Sequence, residues 1–119
     1  MRADTRTDEA GGLHLAAGDD LVEVAVEVFS MLADATRVKI VLALAEGELS
    51  VNSLADLVGK PPAAVSQHLA KLRLARIVTT RPEGTRVFYR LANEHAHRLV
   101  TDAVFQAEHT LDDHPRHHR

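Results

Sequence analysis

The middle of the chain contains the stretch Val65-Ser66-Gln67-His68-Leu69-Ala70-Lys71-Leu72, which determines the predicted fold. Val65, Leu69 and Leu72 recur at the i, i+4 and i+7 spacing of one helix face, so this face is predicted to be buried. The residues between them are small, polar or basic. Pro62 suits the first turn of such a helix because its missing N–H would have no partner there. The pattern therefore predicts a helix from about residue 62 to residue 75.

Three helices are predicted before this stretch. Residues 21–32 carry apolar side chains at helical spacing, and Asp34 can cap a second helix that runs to about residue 45. A third, short helix is predicted after Ser50, another capping residue, and it ends at Gly59. Its predicted inner side consists of Leu54, Leu57 and Val58. The short helix and the central helix follow each other across a tight turn, which is the order of a helix-turn-helix.

Two β-type runs follow the central helix, at residues 77–80 and 87–89. The segment between them contains Pro82 and Gly84, which favour turns, so the runs predict a hairpin with basic residues at its tip. Asn93 can cap a last helix from about residue 94 to residue 109. The predicted fold is mainly α with a β-hairpin wing, that is, a winged helix-turn-helix.

The composition excludes several classes of protein. The chain contains no Cys, so disulfides, thiolate metal sites and Cys nucleophiles are excluded. No run of 18 apolar residues occurs and the N-terminus is polar, so we expect a soluble, cytoplasmic protein without a membrane span. The 119 residues leave room for one domain. We predict a flexible arm at 1–18, a DNA-binding and dimerisation domain at 19–111 and a His-rich tail at 112–119.

The basic residues are concentrated in one segment, although the formal net charge is −3. Residues 60–90 contain seven Lys and Arg side chains against the single acid Glu83, which is typical of a phosphate-binding surface. A solvated face is the alternative interpretation of such a cluster alone. Because a DNA major groove admits one helix, the winged-helix order predicts a complex with double-stranded operator DNA.

Short polar side chains of the central helix can approach base edges while flanking Lys and Arg hold phosphates. The predicted base-facing residues are Ser66 and Gln67, and the predicted phosphate-binding residues are Lys60, Lys71 and Arg73, with Arg81 and Arg86 on the wing. His68 has two interpretations, because it can contact DNA or pack between helices.

Two histidines share one stripe of the last helix. His95 and His109 are about 21 Å apart along the axis, so they cannot share an ion within one helix, yet their angular offset is only about 40°. An antiparallel pairing with a second copy, crossing near Asp102, would bring His95 of one chain to Glu108 and His109 of the other. The stripe therefore predicts a homodimer through its terminal helices, with two equivalent metal sites.

Imidazole and carboxylate ligands without sulfur suit Ni(II), Co(II) or Zn(II), and affinity order alone would also admit Cu(II). His117 and His118 could fold back and raise the ligand number, and higher coordination favours Ni(II) and Co(II) over tetrahedral Zn(II). A disordered His-rich end without metal is the alternative interpretation of the tail. His14, His97 and His114 are left open, with His97 interpreted as a solvated side chain.

The chain resembles the ArsR–SmtB family of metal-sensing transcriptional repressors over residues 21–119. Three segments carry the resemblance: Met31-Leu32-Ala33-Asp34-Ala35-Thr36-Arg37, the central stretch quoted above, and Gly84-Thr85-Arg86-Val87-Phe88-Tyr89-Arg90-Leu91. The C-terminal part is most similar to nickel- and cobalt-sensing members, whose ligand pattern is matched by His95, Glu108, His109, His117 and His118. The resemblance implies a homodimer that leaves operator DNA when metal binds.

The chain departs from the zinc-sensing members of that family at two ligand positions, where it has Asn93 and Gln106 instead of Asp and His. This departure weakens a tetrahedral zinc site and leaves open how metal binding is relayed to the DNA-binding helix. A zinc-responsive repressor and a metal-independent DNA-binding dimer remain alternatives. An enzyme is not predicted, because the sequence contains no nucleophile elbow, phosphate loop or HExxH motif.

Overall fold

The computed structural model describes residues 18–113, which form five helices and a three-stranded antiparallel sheet. The elements in chain order are α1 (Gly18–Leu32), α2 (Ala35–Leu44), β1 (Leu49–Ser50), α3 (Val51–Val58), α4 (Pro62–Leu74), β2 (Val78–Glu83), β3 (Arg86–Leu91) and α5 (His95–Asp113). The predicted winged helix-turn-helix is confirmed. The two predicted domain boundaries stay predictions, because residues 1–17 of the arm and residues 114–119 of the tail, which include His117 and His118, lie outside the described residues.

Side-chain caps begin two of the helices as the sequence predicts. The Asp34 carboxylate accepts a hydrogen bond from the Arg37 backbone N–H at 3.0 Å, at the start of α2. The Ser50 hydroxyl accepts one from the Ser53 backbone N–H at 3.2 Å, at the start of α3. Gly59 ends α3 in the left-handed conformation, with φ 70°. Each contact satisfies a backbone group that the helix end would otherwise leave without a partner.

Several element boundaries differ from the prediction. Helix α1 begins three residues before Leu21, and α5 continues four residues past His109 because no helix breaker precedes Pro115. Strand β2 includes Pro82, which is tolerated there because the sheet order β1-β3-β2 makes β2 an edge strand. Strand β1 was not predicted, since a two-residue strand shows no alternation of polar and apolar side chains.

The core is built from aliphatic side chains of four helices and β2. Val65, Leu69 and Leu72 of α4 are fully buried, which confirms the predicted apolar face. The prediction for Leu57 is wrong, because its side chain is 65% exposed. At about 100° per residue, Leu54, Ala55 and Val58 cluster on one side of α3 and Leu57 falls outside that sector. No helix within residues 18–113 is long and apolar enough to cross a membrane.

Helices α1 and α5 expose an apolar surface, which we call the terminal-helix face. Its members are the exposed side chains Leu21, Val22, Val24, Val26 and Phe29 of α1 and Leu99, Val104, Phe105 and Leu111 of α5. A groove of about 290 Å³ runs along this face between α1, α2 and α5, and Phe29, Val38 and Val104 are among its lining residues. Large apolar side chains exposed beside such a groove are typical of surfaces that mediate association.

Helix α4 ends in a tight turn that contains a strained residue. The Ile77 backbone N–H donates to the Leu72 carbonyl at 2.9 Å, and the Arg76 N–H donates to the Arg73 carbonyl at 3.0 Å. This pair of hydrogen bonds requires a left-handed residue, a position that usually holds Gly. Arg76 occupies it here with φ 63°. A side chain with a Cβ atom is disfavoured in this conformation, so the turn stores backbone strain.

Replacing Arg76 with Gly is expected to stabilise the fold by about 1 kcal/mol, because the relief of left-handed strain exceeds the entropy that Gly adds to the unfolded chain. Arg76→Ala is the matched control, since it removes the same guanidinium but keeps Cβ. Urea unfolding at one fixed protein concentration should give R76G the higher midpoint and R76A a midpoint near that of wild type. Equal midpoints for R76G and R76A would show that the turn is unstrained.

Candidate functional site

Helix α4 presents a polar surface opposite its buried face. Ser66 and Gln67 are exposed, as are Lys71 and Arg73 toward the end of the helix. Lys60 is exposed in the turn between α3 and α4. Among residues 18–113, no carboxylate lies within ion-pairing distance of Lys60, Lys71 or Arg73. These cations are therefore free to bind phosphate groups beside the exposed helix.

His68 is held between helices and does not point freely into solvent. Its side chain is 23% exposed, and its Nδ1 lies 3.1 Å from Nη1 of Arg37 and 3.8 Å from Oδ2 of Asp34. A guanidinium can only donate, so a hydrogen bond between these two nitrogens requires Nδ1 of His68 as the acceptor. Contact with DNA stays a prediction for this residue, and the geometry supports the alternative interpretation of packing between helices.

Arg37 joins three helices through separate atoms. Its Nε donates to the Met31 carbonyl at the end of α1 at 2.6 Å, its backbone N–H donates to Asp34 at the start of α2, and its Nη1 contacts His68 of α4. The backbone N–H of Arg37 is the main cause that lowers the pKa of Asp34 from its ordinary value of 3.8, with the charge of Arg37 adding to it. The ends of α1, α2 and the middle of α4 are thereby fixed to one another.

The two wing arginines have different surroundings, although the sequence predicts one role for both. Arg81 donates from Nε and Nη2 to the Glu48 carboxylate at 3.0 and 2.8 Å, and from Nη1 to Glu83 at 2.7 Å. Its hydrogen bond lowers the pKa of Glu48, and the two carboxylates raise the pKa of Arg81. Arg86 is exposed and, within the described range, forms no ion pair.

Phe88 lies beneath both wing arginines. The Arg81 guanidinium carbon is 5.2 Å and that of Arg86 is 5.0 Å from the centroid of the Phe88 ring. These distances allow cation–π attraction, which holds an arginine side chain without neutralising its charge. The sequence does not indicate Glu48 or Phe88 as part of this surface. Glu48 is 33 positions from Arg81, and no local pattern joins these two residues.

The predicted metal ligands in the described range lie at opposite ends of α5. His95 is its first residue, and Glu108 and His109 lie near its other end, all of them exposed. No three His, Asp or Glu side chains of one chain converge to hold an ion within residues 18–113. The donor set of imidazole and carboxylate nevertheless fits Ni(II), Co(II) or Zn(II). His95 can bind the same ion as Glu108 and His109 only if these ligands come from two different chains.

Asn93 lies just before α5, and His97 and Gln106 lie on that helix. The Asn93 side-chain oxygen accepts a hydrogen bond from the His95 backbone N–H at 2.9 Å, so Asn93 caps the helix as predicted. His97 is half-buried, which contradicts its interpretation as a solvated side chain, because it lies on the side of α5 next to buried Ala96 and Val100. Gln106 is exposed on the stripe between His95 and His109.

Helix α4 has an exposed polar side and follows the short helix α3 across a tight turn. The three-stranded antiparallel sheet adds a cationic hairpin. This combination defines a winged helix-turn-helix DNA-binding regulator. Residues 34–80 match the model of the bacterial regulatory proteins of the arsR family. The chain belongs to this ArsR/SmtB family of metal-sensing transcriptional repressors. It is a transcriptional regulator and not an enzyme.

Two of the proteins similar to this chain are regulators of Mycobacterium tuberculosis. The HTH-type transcriptional regulator KmtR is 63% identical over 101 residues, which cover 85% of this chain and 78% of the relative. The HTH-type transcriptional repressor SmtB is 40% identical over 88 residues, which cover 74% of this chain and 65% of the relative.

Solved structures share the fold. The homodimeric winged helix-turn-helix DNA-binding domain Mb0332 of Mycobacterium bovis has a TM-score of 0.71 and 30% identity, covering 92% of this chain and 94% of its own. Rv0081 of M. tuberculosis has a TM-score of 0.72 and 30% identity, covering 82% and 98%. The homodimeric state is a property of the Mb0332 domain itself.

Replacing Asp34 with Asn should remove the charge and keep the capping acceptor. Because the pKa of Asp34 is lowered in the folded protein, its charge stabilises the fold above the unfolded pKa, and this contribution is lost as the pH falls through the folded pKa. The wild-type advantage over D34N in urea unfolding should therefore be constant above about pH 5 and disappear in acid. Asp34→Ala also loses the acceptor and should stay less stable than D34N at every pH. An advantage of wild type over D34N that does not decline as the pH is lowered from about 5 would contradict this role of the charge.

Proposed function

We propose that this chain is a homodimeric repressor that leaves its operator DNA when Ni(II) or Co(II) binds between the two protomers. The observation that carries the proposal is the length of α5, which keeps His95 away from Glu108 and His109 within one chain. A site that uses all three side chains needs residues of two chains. The high identity to KmtR supports the same assignment.

The terminal-helix face supports the homodimer. Each protomer exposes large apolar side chains on both α1 and α5, and water would contact all of them in an isolated protomer. A second copy offers the same surface, so a two-fold contact can cover both faces at once. The homodimeric domain Mb0332, which shares this fold, supports the same arrangement.

In the proposed dimer the α5 helices cross in antiparallel orientation near Asp102. His95 of one protomer would then hold the ion together with the partner's Glu108 and His109, and His117 and His118 of the tail would complete the ligand set. The ion would supply a bond between protomers that neither helix can make alone. Five or six N and O ligands favour Ni(II) or Co(II), and Zn(II) with fewer ligands is the alternative effector. Asn93 is not assigned as a ligand, since it caps α5.

The DNA contacts proposed for this regulator follow from exposure and charge. Ser66 and Gln67 would read base edges in the major groove, since they lie on the exposed side of α4. Phosphates would be held by Lys60, Lys71 and Arg73 and, on the wing, by Arg86, which are exposed and form no ion pair within residues 18–113. His68 and Arg81 would support this surface without contacting DNA directly, because Arg37 contacts His68 and Glu48 accepts hydrogen bonds from Arg81. The operator and the regulator would meet in the cytoplasm.

Helix α2 supplies a route between the two sites. It contacts α5 on one side, where Val38 lines the groove beside Val100, and α4 on the other, where Arg37 contacts His68. A change in how the α5 helices cross can therefore reach α4 through one rigid helix. The coupling of two such sites is typically about 1–3 kcal/mol, or about 5- to 150-fold in affinity, and it must be reciprocal.

Truncation after Leu111 should leave operator binding intact and weaken binding of Ni(II) and Co(II), because His117 and His118 are lost while the DNA-binding residues remain. The shortened site should favour four-coordinate Zn(II). Metal titration followed by the Co(II) absorption spectrum checks this expectation. Identical affinities and spectra for the full and shortened chains would exclude the tail as a source of ligands.

The variants His95→Ala and His109→Ala should remain dimeric, bind operator like the metal-free wild type and no longer respond to metal. His97→Ala is the control, since it removes an imidazole from the same helix on the side away from the proposed ligands. Fluorescence anisotropy with operator DNA, with and without each ion, measures the response. Wild type and H97A should lose affinity by about 5- to 150-fold with metal. Release of H95A or H109A at the wild-type metal concentration would place the sensing ligands elsewhere.

The alternative of a metal-independent DNA-binding dimer makes a different prediction for metal content. Dialysis against Ni(II), Co(II) and Zn(II) followed by metal counting should yield about one to two ions per dimer for the proposed two-fold site. A dimer that binds operator and retains no ion would support the alternative.

A further inference from the structure

We propose that Glu48 and Arg81 form a positioning pair that fixes the wing on the body of the protein, and that Arg86 alone provides the direct phosphate contact of the wing. This inference rests on operator binding through α4 and the wing, as proposed above. It separates two arginines that the sequence treats as equivalent.

The pair connects the two outer strands of the sheet. Glu48 directly precedes β1, whereas Arg81 lies in β2, and β3 runs between these strands. Arg81 pairs with Phe88 of β3, whereas the register of β1 places the preceding residue Glu48 level with Arg90. The ion pair therefore crosses β3 diagonally, between the levels of Phe88 and Arg90. The short strand β1 has only two residues paired with β3. The Glu48–Arg81 contact is thus a second connection between the body and the hairpin.

The guanidinium of Arg81 has few donors left for a phosphate. Nε and Nη2 both donate to Glu48 in a two-point contact, and Nη1 donates to Glu83 at 2.7 Å. Of the five guanidinium N–H groups, one on Nη1 and one on Nη2 remain. A phosphate at these two groups would approach a cation that two carboxylates already neutralise, so it would gain little attraction. A two-point contact also fixes the direction of a side chain, which a single contact does not.

The charges around the pair cancel. Arg81 and Arg90 face the carboxylates of Glu48 and Glu83, with Arg90 Nη1 at 3.8 Å from Glu48. These four side chains carry no net charge, so they add little attraction for DNA. Arg86 at the hairpin turn is then the uncompensated cation of the wing among residues 18–113, and Phe88 supports its side chain at 5.0 Å.

The partial exposure of Glu48 and Arg81 agrees with a role in orienting the wing rather than in stabilising the whole fold. The side chains of Arg81 and Glu48 are 41% and 29% exposed. Ion pairs at such positions contribute little to folding free energy, but a two-point contact within a network of charges restricts geometry. Loss of the pair should therefore leave the core folded and let the hairpin vary in direction.

Substitution of each arginine by Lys tests the division of roles, because Lys keeps the charge but cannot make the two-point contact. R81K should lower operator affinity about threefold to tenfold without changing its salt dependence, since orientation and not charge is lost. R86K should bind operator like wild type, because an ammonium group still holds a phosphate. Circular dichroism and thermal midpoints close to wild type would show that both variants are folded. Wild-type operator affinity for R81K would overturn the proposal.

Removal of charge gives a second, independent readout. R86Q should flatten the plot of log affinity against log salt by about 0.9, the value for one phosphate contact. The double variant E48Q/R81Q has the same net charge as wild type and should give a parallel line displaced to lower affinity. A line flattened by about 0.9 would assign a phosphate to Arg81 and overturn the proposal. A plot for E48Q/R81Q that coincides with that of wild type would also overturn the proposal, because the Glu48–Arg81 pair would then have no effect on operator binding.

The same experiment separates this inference from the function on which it rests. If wild-type protein showed no salt-dependent preference for operator over random DNA, the proposed repressor function would fail. If wild type bound operator as expected and only R81K or E48Q/R81Q departed from the results above, the roles assigned within the wing would fail. Hydrogen exchange in the free protein adds a readout without DNA, because amides of β1 and the hairpin should exchange faster in R81K than in R86K.

Discussion

Burial of Val65, Leu69 and Leu72 determines how α4 is rotated about its own axis, and the rest of the interface depends on that rotation. With one face in the core, Ser66 and Gln67 must lie on the opposite side. A turn of α4 by one position would expose aliphatic surface and bury polar side chains without partners, which is strongly unfavourable. The hydrophobic effect thus selects which side chains can meet DNA, although none of the three buried residues does so.

The local features of the fold could be predicted from the sequence, because they depend on neighbouring residues. The caps at Asp34 and Ser50, the left-handed Gly59 and the inner face of α4 each involve residues within about one or two turns of each other. The prediction for Leu57 is wrong because this short helix has more apolar residues than its inner side can hold, and the smaller Ala55 lies there instead. A periodic pattern cannot decide such a competition, since the neighbouring helices decide it.

Contacts between distant parts of the chain could not be predicted. The sequence indicates a basic segment at residues 60–90, but nothing in it shows that Glu48 reaches Arg81 or that Arg37 reaches His68. Both contacts join charged or polar groups more than 30 positions apart, and both change what the basic residues can do. Counting charges along the chain therefore overstates the number of cations available to DNA. The metal site is harder still to predict from the sequence, because its proposed ligands belong to different chains.

The terminal-helix face has a consequence for how such a regulator behaves at different cellular concentrations. Association through this surface follows mass action, so the fraction of paired protomers depends on the amount of protein. In the proposed dimer, dilution would separate the two DNA-reading helices. It would also take apart each ion-binding site, because the ligands of one site belong to both protomers. Repression and detection would then weaken together, and a cell that produces more of the protein would gain a more sensitive detector as well as a stronger repressor.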